Sequence, residues 1–140
     1  MYRLISVIFI LCFVIDAKAG ANTSSSFSKK IITITVNEKG QSLIGRDTLT
    51  TEELTIELQK RLWKSFTGRG TTYDVIRLQF SGEVSSEIKN AVIKAIQLSQ
   101  KNALTEISLD KHKKLFESLS HSQQRKIKKH FPVLFQTDYE

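Results

Sequence analysis

Between residues 31 and 66 the spacing of the large apolar residues changes from every second position to every fourth. In IITITV, Ile32, Ile34 and Val36 alternate with threonines, which is the period of a strand with one buried face. Further along, a four-residue repeat is typical of a helix that packs on such a face: Leu54, Leu58, Leu62 and Phe66. A strand followed closely by an amphipathic helix favours folds in which helices cover a sheet.

Turn and cap signals predict where these first elements begin and end. Residues 37–40, NEKG, form a turn, and SLIG at 42–45 then returns as the second strand of a hairpin. Thr50 and Glu53 form a capping box, which predicts that the helix begins there. Glycines at positions 68 and 70 end it.

The middle of the chain repeats the same two periods. Residues 72–80 alternate apolar and polar side chains and predict a third strand, which Gly82 breaks. Apolar residues three and four apart between Ile88 and Ile96 then predict a second amphipathic helix. Residues 105–109 fit a fourth strand, and continuation of the helix is the alternative interpretation.

The resulting order β-β-α-β-α-β predicts an α/β domain of the two-layer α+β type. It has a small mixed β-sheet with two helices on one face, followed by a short C-terminal helical extension. The third strand, second helix and fourth strand would form a right-handed crossover between parallel strands. We divide the chain into a signal peptide, a flexible lead-in, the α/β domain and the basic extension, at residues 1–19, 20–30, 31–110 and 111–140.

The N-terminal segment is an apolar run over residues 4–15, preceded by an arginine. Twelve helical residues rise about 18 Å, well short of the roughly 30 Å of bilayer hydrocarbon. We therefore interpret it as a secretory signal, with Ala17 and Ala19 forming an A-x-A cleavage site before Gly20. The alternative is a short anchor that stays uncleaved. Cleavage would remove Cys12, the only cysteine, so the exported protein would hold no disulfide.

The net charge is +7, and basic residues are concentrated after residue 110. Ser120 and Gln123 predict a second capping box, and Pro132 stops the helix that follows. One interpretation is a basic amphipathic helix that binds a partner or a polyanionic surface. The other is a short helix docked by Ile127 and Phe131, with solvated basic residues. The cations in question are Arg125, Lys126, Lys128 and Lys129.

Sequence motifs of the common catalytic and metal chemistries do not occur in this chain. It has no nucleophile elbow, phosphate loop, zinc spacing or dinucleotide fingerprint, and its carboxylates are scattered. His112, His121 and His130 are nine residues apart, which on one continuous helix would place neighbours on opposite sides. We therefore predict a protein that is not an enzyme and that holds no metal or cofactor.

Two stretches, ITITVNEKGQSLIGRDTLTTEEL and VIRLQFSGEVSSEIKNAVIKAIQLSQKNALTEISL, resemble the periplasmic domain of the ExbD/TolR biopolymer-transport proteins. The tail LFESLSHSQQRKIKKHFPVLF resembles an extension that some members carry. The resemblance covers roughly residues 31–135. Positions that match the family pattern are Gly40, Gly45, Leu49, Glu53, Leu54, Ala103, Ile107, Ser108 and Leu109.

This resemblance implies a part in proton-motive-force-coupled transport at a Gram-negative envelope, beside ExbB/TolQ-like and TonB-like proteins. It also implies a homodimer and, for TolR-like members, peptidoglycan binding; nucleic acid is not an expected partner. The family's anchor helix carries an aspartate in the proton path, but Asp16 follows a run too short to span, so we do not give it that role. We expect a non-enzymatic periplasmic interaction module. The alternative is an exported basic protein that binds peptidoglycan or anionic lipid through its C-terminal extension.

Overall fold

The computed structural model describes residues 29–135, with side chains as far as Val133. The predicted leader and its cleavage site, Ala17, Ala19 and Gly20, lie outside the described residues. Within residues 29–135 no helix has the length and apolar character needed to cross a bilayer. The elements in chain order are β1 Ile31–Asn37, β2 Ser42–Ile44, β3 Asp47–Leu49, α1 Thr51–Arg69, β4 Val75–Ser81, α2 Ser86–His112 and α3 His121–His130, with 3₁₀ turns at Phe116–Ser118 and Pro132–Phe135.

The four strands form one mixed sheet in the order β3-β2-β1-β4. β1 runs antiparallel to β2, with Thr35 opposite Leu43, and parallel to β4, with Ile34 beside Leu78. The hairpin predicted between residues 31 and 45 is therefore confirmed. The third strand of the meander, β3, was missed because its three residues, DTL, precede the helix cap without any alternating pattern.

Helices α1 and α2 cover one face of this sheet and run side by side in the same direction. Ser99 Oγ in α2 donates a hydrogen bond to the Thr55 carbonyl in α1 at 3.0 Å. One turn further along α1, Gln59 Nε2 donates to Glu106, which lies further along α2, at 2.8 Å. The apolar residues between the helices and the sheet are buried, among them Ile34, Val36, Ile44, Leu54, Leu58, Leu62, Ile76, Val92, Ile96 and Ile107. The predicted two-layer α+β fold class is confirmed.

The capping box predicted for α1 is present. Glu53 N donates to the Thr50 side chain, and Thr50 N donates to Glu53 Oε2 at 2.8 Å. The helix ends at Arg69, and Gly70 closes it in the left-handed region at φ 74°. Residues 54, 58 and 62 are buried on one stripe, as their spacing predicts.

The fourth strand predicted at 105–109 is wrong, because these residues belong to α2, which continues to His112. Ala103 and Ile107 are buried four residues apart, and the Thr105 hydroxyl donates to the Lys101 carbonyl, so the helical period is unbroken. The predicted crossover is wrong as well: the parallel neighbour of β4 is β1. The boundary that we predicted between residues 110 and 111 falls inside α2.

The C-terminal extension packs into the same core as the rest of the domain. Ile127 and Phe131 are buried, and the Phe131 ring centroid lies 5.5 Å from that of Phe66 in α1. Thr72 N donates to the His130 carbonyl, and the Gln100 side chain donates to the Val133 carbonyl. Docking of the helix through Ile127 and Phe131 is confirmed, as is its capping box of Ser120 and Gln123.

Candidate interaction surfaces

The outer side of β4 is the longer of the two sheet edges formed by the described residues. β3 has three residues and β4 has seven. Val75 N donates to the Lys30 carbonyl beside β1. Since backbone groups alternate sides along a strand, the N–H and C=O groups of Leu78 and Phe80 are directed away from β1. Within residues 78–81, which we call the β4 edge, the main-chain groups of Leu78 and Phe80 are therefore directed outward.

An aromatic side chain marks the β4 edge. Phe80 is 38% exposed, although phenylalanine is usually buried, and Lys89 Nζ lies 5.2 Å from its ring centroid. Leu78, on the same face of the strand, packs against the core. After Ser81 the chain turns at Gly82, whose φ is +81°, and Glu83 N donates to the Glu38 carboxylate. The turn ends the strand and directs the chain into α2.

A second apolar surface lies on the outer side of the two helices. Ile56 is 67% exposed and Leu109 is 43% exposed, and Trp63 lies between α1 and α2 beside them. They line a shallow groove of about 510 Å³. Trp63 is also partly buried against the core, as its place beside the apolar stripe of α1 predicts.

A third surface is a groove between the ends of α1 and α2 and the body of α3. Its volume is about 430 Å³. Phe66 and Ile127 are its apolar lining residues, and Lys111 Nζ lies over the Phe66 ring, 4.2 Å from the centroid. Lys126 and Lys129 line it from α3. We call it the α2–α3 groove.

The structure separates the four cations predicted as a binding surface into two pairs. All four are exposed. Lys126 and Lys129 lie three residues apart, on one side of α3, and both line the α2–α3 groove. Arg125 and Lys128 lie on the same helix but are not among the described residues that line the groove. The sequence pattern did not indicate Lys111 or Phe66, because tertiary packing brings them to α3 from other helices.

The three evenly spaced histidines do not share one helix. His112 ends α2, whereas His121 and His130 stand at the two ends of α3. The argument that neighbours nine residues apart lie on opposite sides of a helix therefore applies only to His121 and His130, which share α3. His112 and His130 both line the α2–α3 groove. In the described part of the chain, no three or more histidine, cysteine, aspartate or glutamate residues cluster as a metal site would require. The absence of a metal stays a prediction.

Comparisons with known proteins give no relative for this chain. No family model matches it, and neither a curated protein nor a solved structure does. The resemblance to the ExbD/TolR proteins therefore rests on the residues quoted above.

Proposed function

We propose that this chain is a non-enzymatic interaction module of the Gram-negative periplasm. It would act in proton-motive-force-coupled envelope transport, as its resemblance to ExbD/TolR periplasmic domains suggests. Its partners would be a second copy of itself and TonB-like and ExbB/TolQ-like proteins. The observation that carries the proposal is the β4 edge, where the main-chain groups of Leu78 and Phe80 are directed outward and the Phe80 ring is partly exposed.

Strand addition is the mode of binding that such an edge supports. A partner strand placed beside residues 78–81 pairs with main-chain groups that are directed away from β1. Main-chain hydrogen bonds then supply affinity, and the exposed part of the Phe80 ring supplies apolar contact. Natural proteins protect long exposed edges because these edges recruit other chains, so an edge that no strand of the described residues covers is consistent with recruitment as a function.

A symmetric pair is the simplest form of this contact. Two β4 strands that meet antiparallel would join two four-stranded sheets into one eight-stranded sheet related by a two-fold axis. Each copy then contributes the same residues, so a single substitution alters the contact twice.

Proline at position 80 tests the proposal, with alanine at the same position as the matched control. Both Phe80→Pro and Phe80→Ala remove the ring, but only proline removes the outward N–H, and proline is tolerated on sheet edges. Two N–H groups are lost in a symmetric pair, each contributing about 1 kcal/mol, so F80P should associate at least about tenfold more weakly than F80A. Sedimentation velocity of the full chain over a range of concentrations measures the association constant.

Two results would contradict strand addition. The first is equal self-association of F80P and F80A, with both variants folded by circular dichroism. The second is association that weakens steeply as ionic strength rises, because main-chain pairing is insensitive to salt whereas contacts through the basic extension are not. Crosslinking in intact envelopes, with identification by mass spectrometry, then tests whether a TonB-like or ExbB/TolQ-like protein is a partner.

A further inference from the structure

The α2–α3 groove combines an apolar lining with an entirely basic set of polar groups. Phe66 and Ile127 form the floor of the groove and are each only 3% exposed, so the apolar surface that the described residues offer an occupant comes mostly from the carbon atoms of the surrounding lysine and histidine side chains. Every other described residue that lines the groove is a lysine or a histidine: Lys111, His112, Lys126, Lys129 and His130. Such a surface attracts an anion and repels a cation, so charge complementarity restricts the chemistry of an occupant.

The lysines approach the groove from two different helices. Lys111 lies over the ring of Phe66 in a cation–π contact, and Lys126 and Lys129 come from α3. Ammonium groups bind phosphate well as point charges, and three of them can share the oxygens of one phosphate group. Because Lys111 covers the Phe66 ring and Ile127 is buried, an apolar part of the same molecule would lie against the lysine alkyl chains above this floor.

The size of the groove favours a small molecule over a segment of polymer. Its volume of about 430 Å³ lies within the range of small-molecule sites, roughly 300–1,000 Å³. From this size, lining and charge we infer that the α2–α3 groove binds one phosphate monoester that carries a short apolar chain or ring. This site differs from attraction of the whole basic extension to a charged surface, because it uses Phe66 and Lys111 and does not use Arg125 or Lys128.

Isothermal titration calorimetry of the full chain with octyl phosphate, below its micelle concentration, tests the inference. Inorganic phosphate supplies the head without the tail, and octyltrimethylammonium supplies the tail with the opposite charge. We expect one molecule of octyl phosphate to bind per chain, and at least about tenfold weaker binding of either reference compound, which corresponds to about 1.4 kcal/mol.

Paired double substitutions on α3 provide a matched control. K126Q/K129Q and R125Q/K128Q remove the same charge from the same exposed helix, but only the first pair lines the groove. We expect octyl phosphate affinity to fall about tenfold in K126Q/K129Q, since two charged contacts are lost, and less than about twofold in R125Q/K128Q. Lys111→Gln, on the other helix, should weaken binding as well. Shifts of the Ile127 methyl resonances on titration report contact with the apolar lining.

Several outcomes would overturn the site. Equal losses in the two double variants would indicate general attraction to a basic surface, as would equal binding of phosphatidylglycerol vesicles by both. Binding of inorganic phosphate as tightly as octyl phosphate would remove the role of the apolar lining. Equal binding of octyltrimethylammonium would remove the role of the lysines, and an absence of binding to the unaltered chain would dismiss the site altogether.

Discussion

Replacing Phe131 by alanine should remove a large part of the domain's free energy of unfolding, even though the residue lies in the C-terminal extension. The side chain is wholly buried and its ring lies 5.5 Å from that of Phe66. A buried phenylalanine removes about 150–250 Å² from water, which at about 25 cal/mol per Å² is roughly 4–6 kcal/mol. Measured Phe→Ala costs are about 3–5 kcal/mol, so we expect a loss of about 4 kcal/mol in the free energy of unfolding.

Urea denaturation followed through Trp63 fluorescence measures this loss. Trp63 is the only tryptophan of the chain and packs partly against the core, so its emission reports on the helical layer and not on the extension alone. The control is Leu115→Ala, since Leu115 is 50% exposed and its loss should cost less than about 0.5 kcal/mol. If F131A lowers stability beyond measurement, Ile127→Val should cost about 0.5–1.5 kcal/mol and stays within range.

A small effect would refute this reasoning. If F131A shifts the urea midpoint no more than Leu115→Ala does, the extension contributes little to the core. A large shift in the far-ultraviolet signal without one in Trp63 emission would mean that the extension unfolds separately from the helical layer. Either result would contradict the single core that links Phe66 to Phe131.

Three further substitutions test local features by the same urea titration. Thr50→Ala removes one side of the α1 capping box and should lower the free energy of unfolding by about 1 kcal/mol, whereas Thr50→Ser keeps the hydroxyl and should cost little. Equal losses in the two variants would exclude capping as the cause. Gly82→Ala places a Cβ against the Glu38 carboxylate at φ +81° and should cost about 1–2 kcal/mol of stability. Its control is Gly68→Ala, in open space near the end of α1, which should be neutral or stabilising. If Gly68→Ala were the more costly of the two, the left-handed backbone and the close contact at Gly82 would not be what requires glycine there. Ser108→Ala removes a buried hydroxyl that has no hydrogen-bond partner among the described residues, so it should stabilise the domain by up to about 1 kcal/mol. A loss of stability would show that the hydroxyl makes a hydrogen bond in the folded protein.

Local signals were sufficient to predict the first strand and the start of the first helix. The alternation in β1 and the capping box at Thr50 each depend on residues close together in the chain, and both are present in the structure. Docking of α3 was one of the two interpretations that the sequence allowed, because Ile127 and Phe131 are four residues apart on one side of a capped helix. In these segments tertiary packing reinforces the local preference.

The error at 105–109 arose where local signals conflict. Ile107 and Leu109 suit a strand by alternation, and Ile107 also continues the helical stripe from Ala103. The structure resolves the conflict through packing: Ala103 and Ile107 are buried, and Leu109 is left 43% exposed. The chain leaves the helix only at Lys113, which adopts a left-handed conformation at φ 55° without a glycine to signal it.

The α2–α3 groove was beyond the reach of sequence reasoning for a different reason. Helical phase alone does not separate Lys126 and Lys129 from Arg125 and Lys128, because Arg125 and Lys129 are four residues apart and share a side of the helix. The residues that face Lys126 and Lys129 across the groove come from α1 and from the end of α2, and only the docking of α3 places them opposite. The sequence thus indicated the basic helix, while the apolar lining depended on tertiary structure.

The two proposed binding surfaces lie toward opposite ends of α2, so their tests are independent. The β4 edge is beside the turn that leads into α2, and the α2–α3 groove is beside its last residues. The 27 residues of α2 span about 40 Å, far beyond the roughly 10 Å within which substitutions usually couple. K126Q/K129Q should therefore leave self-association unchanged, and F80P should leave the affinity for octyl phosphate unchanged. If both variants affected both measurements, self-association and phosphate binding would share one surface, and the assignment of self-association to the β4 edge would be untenable.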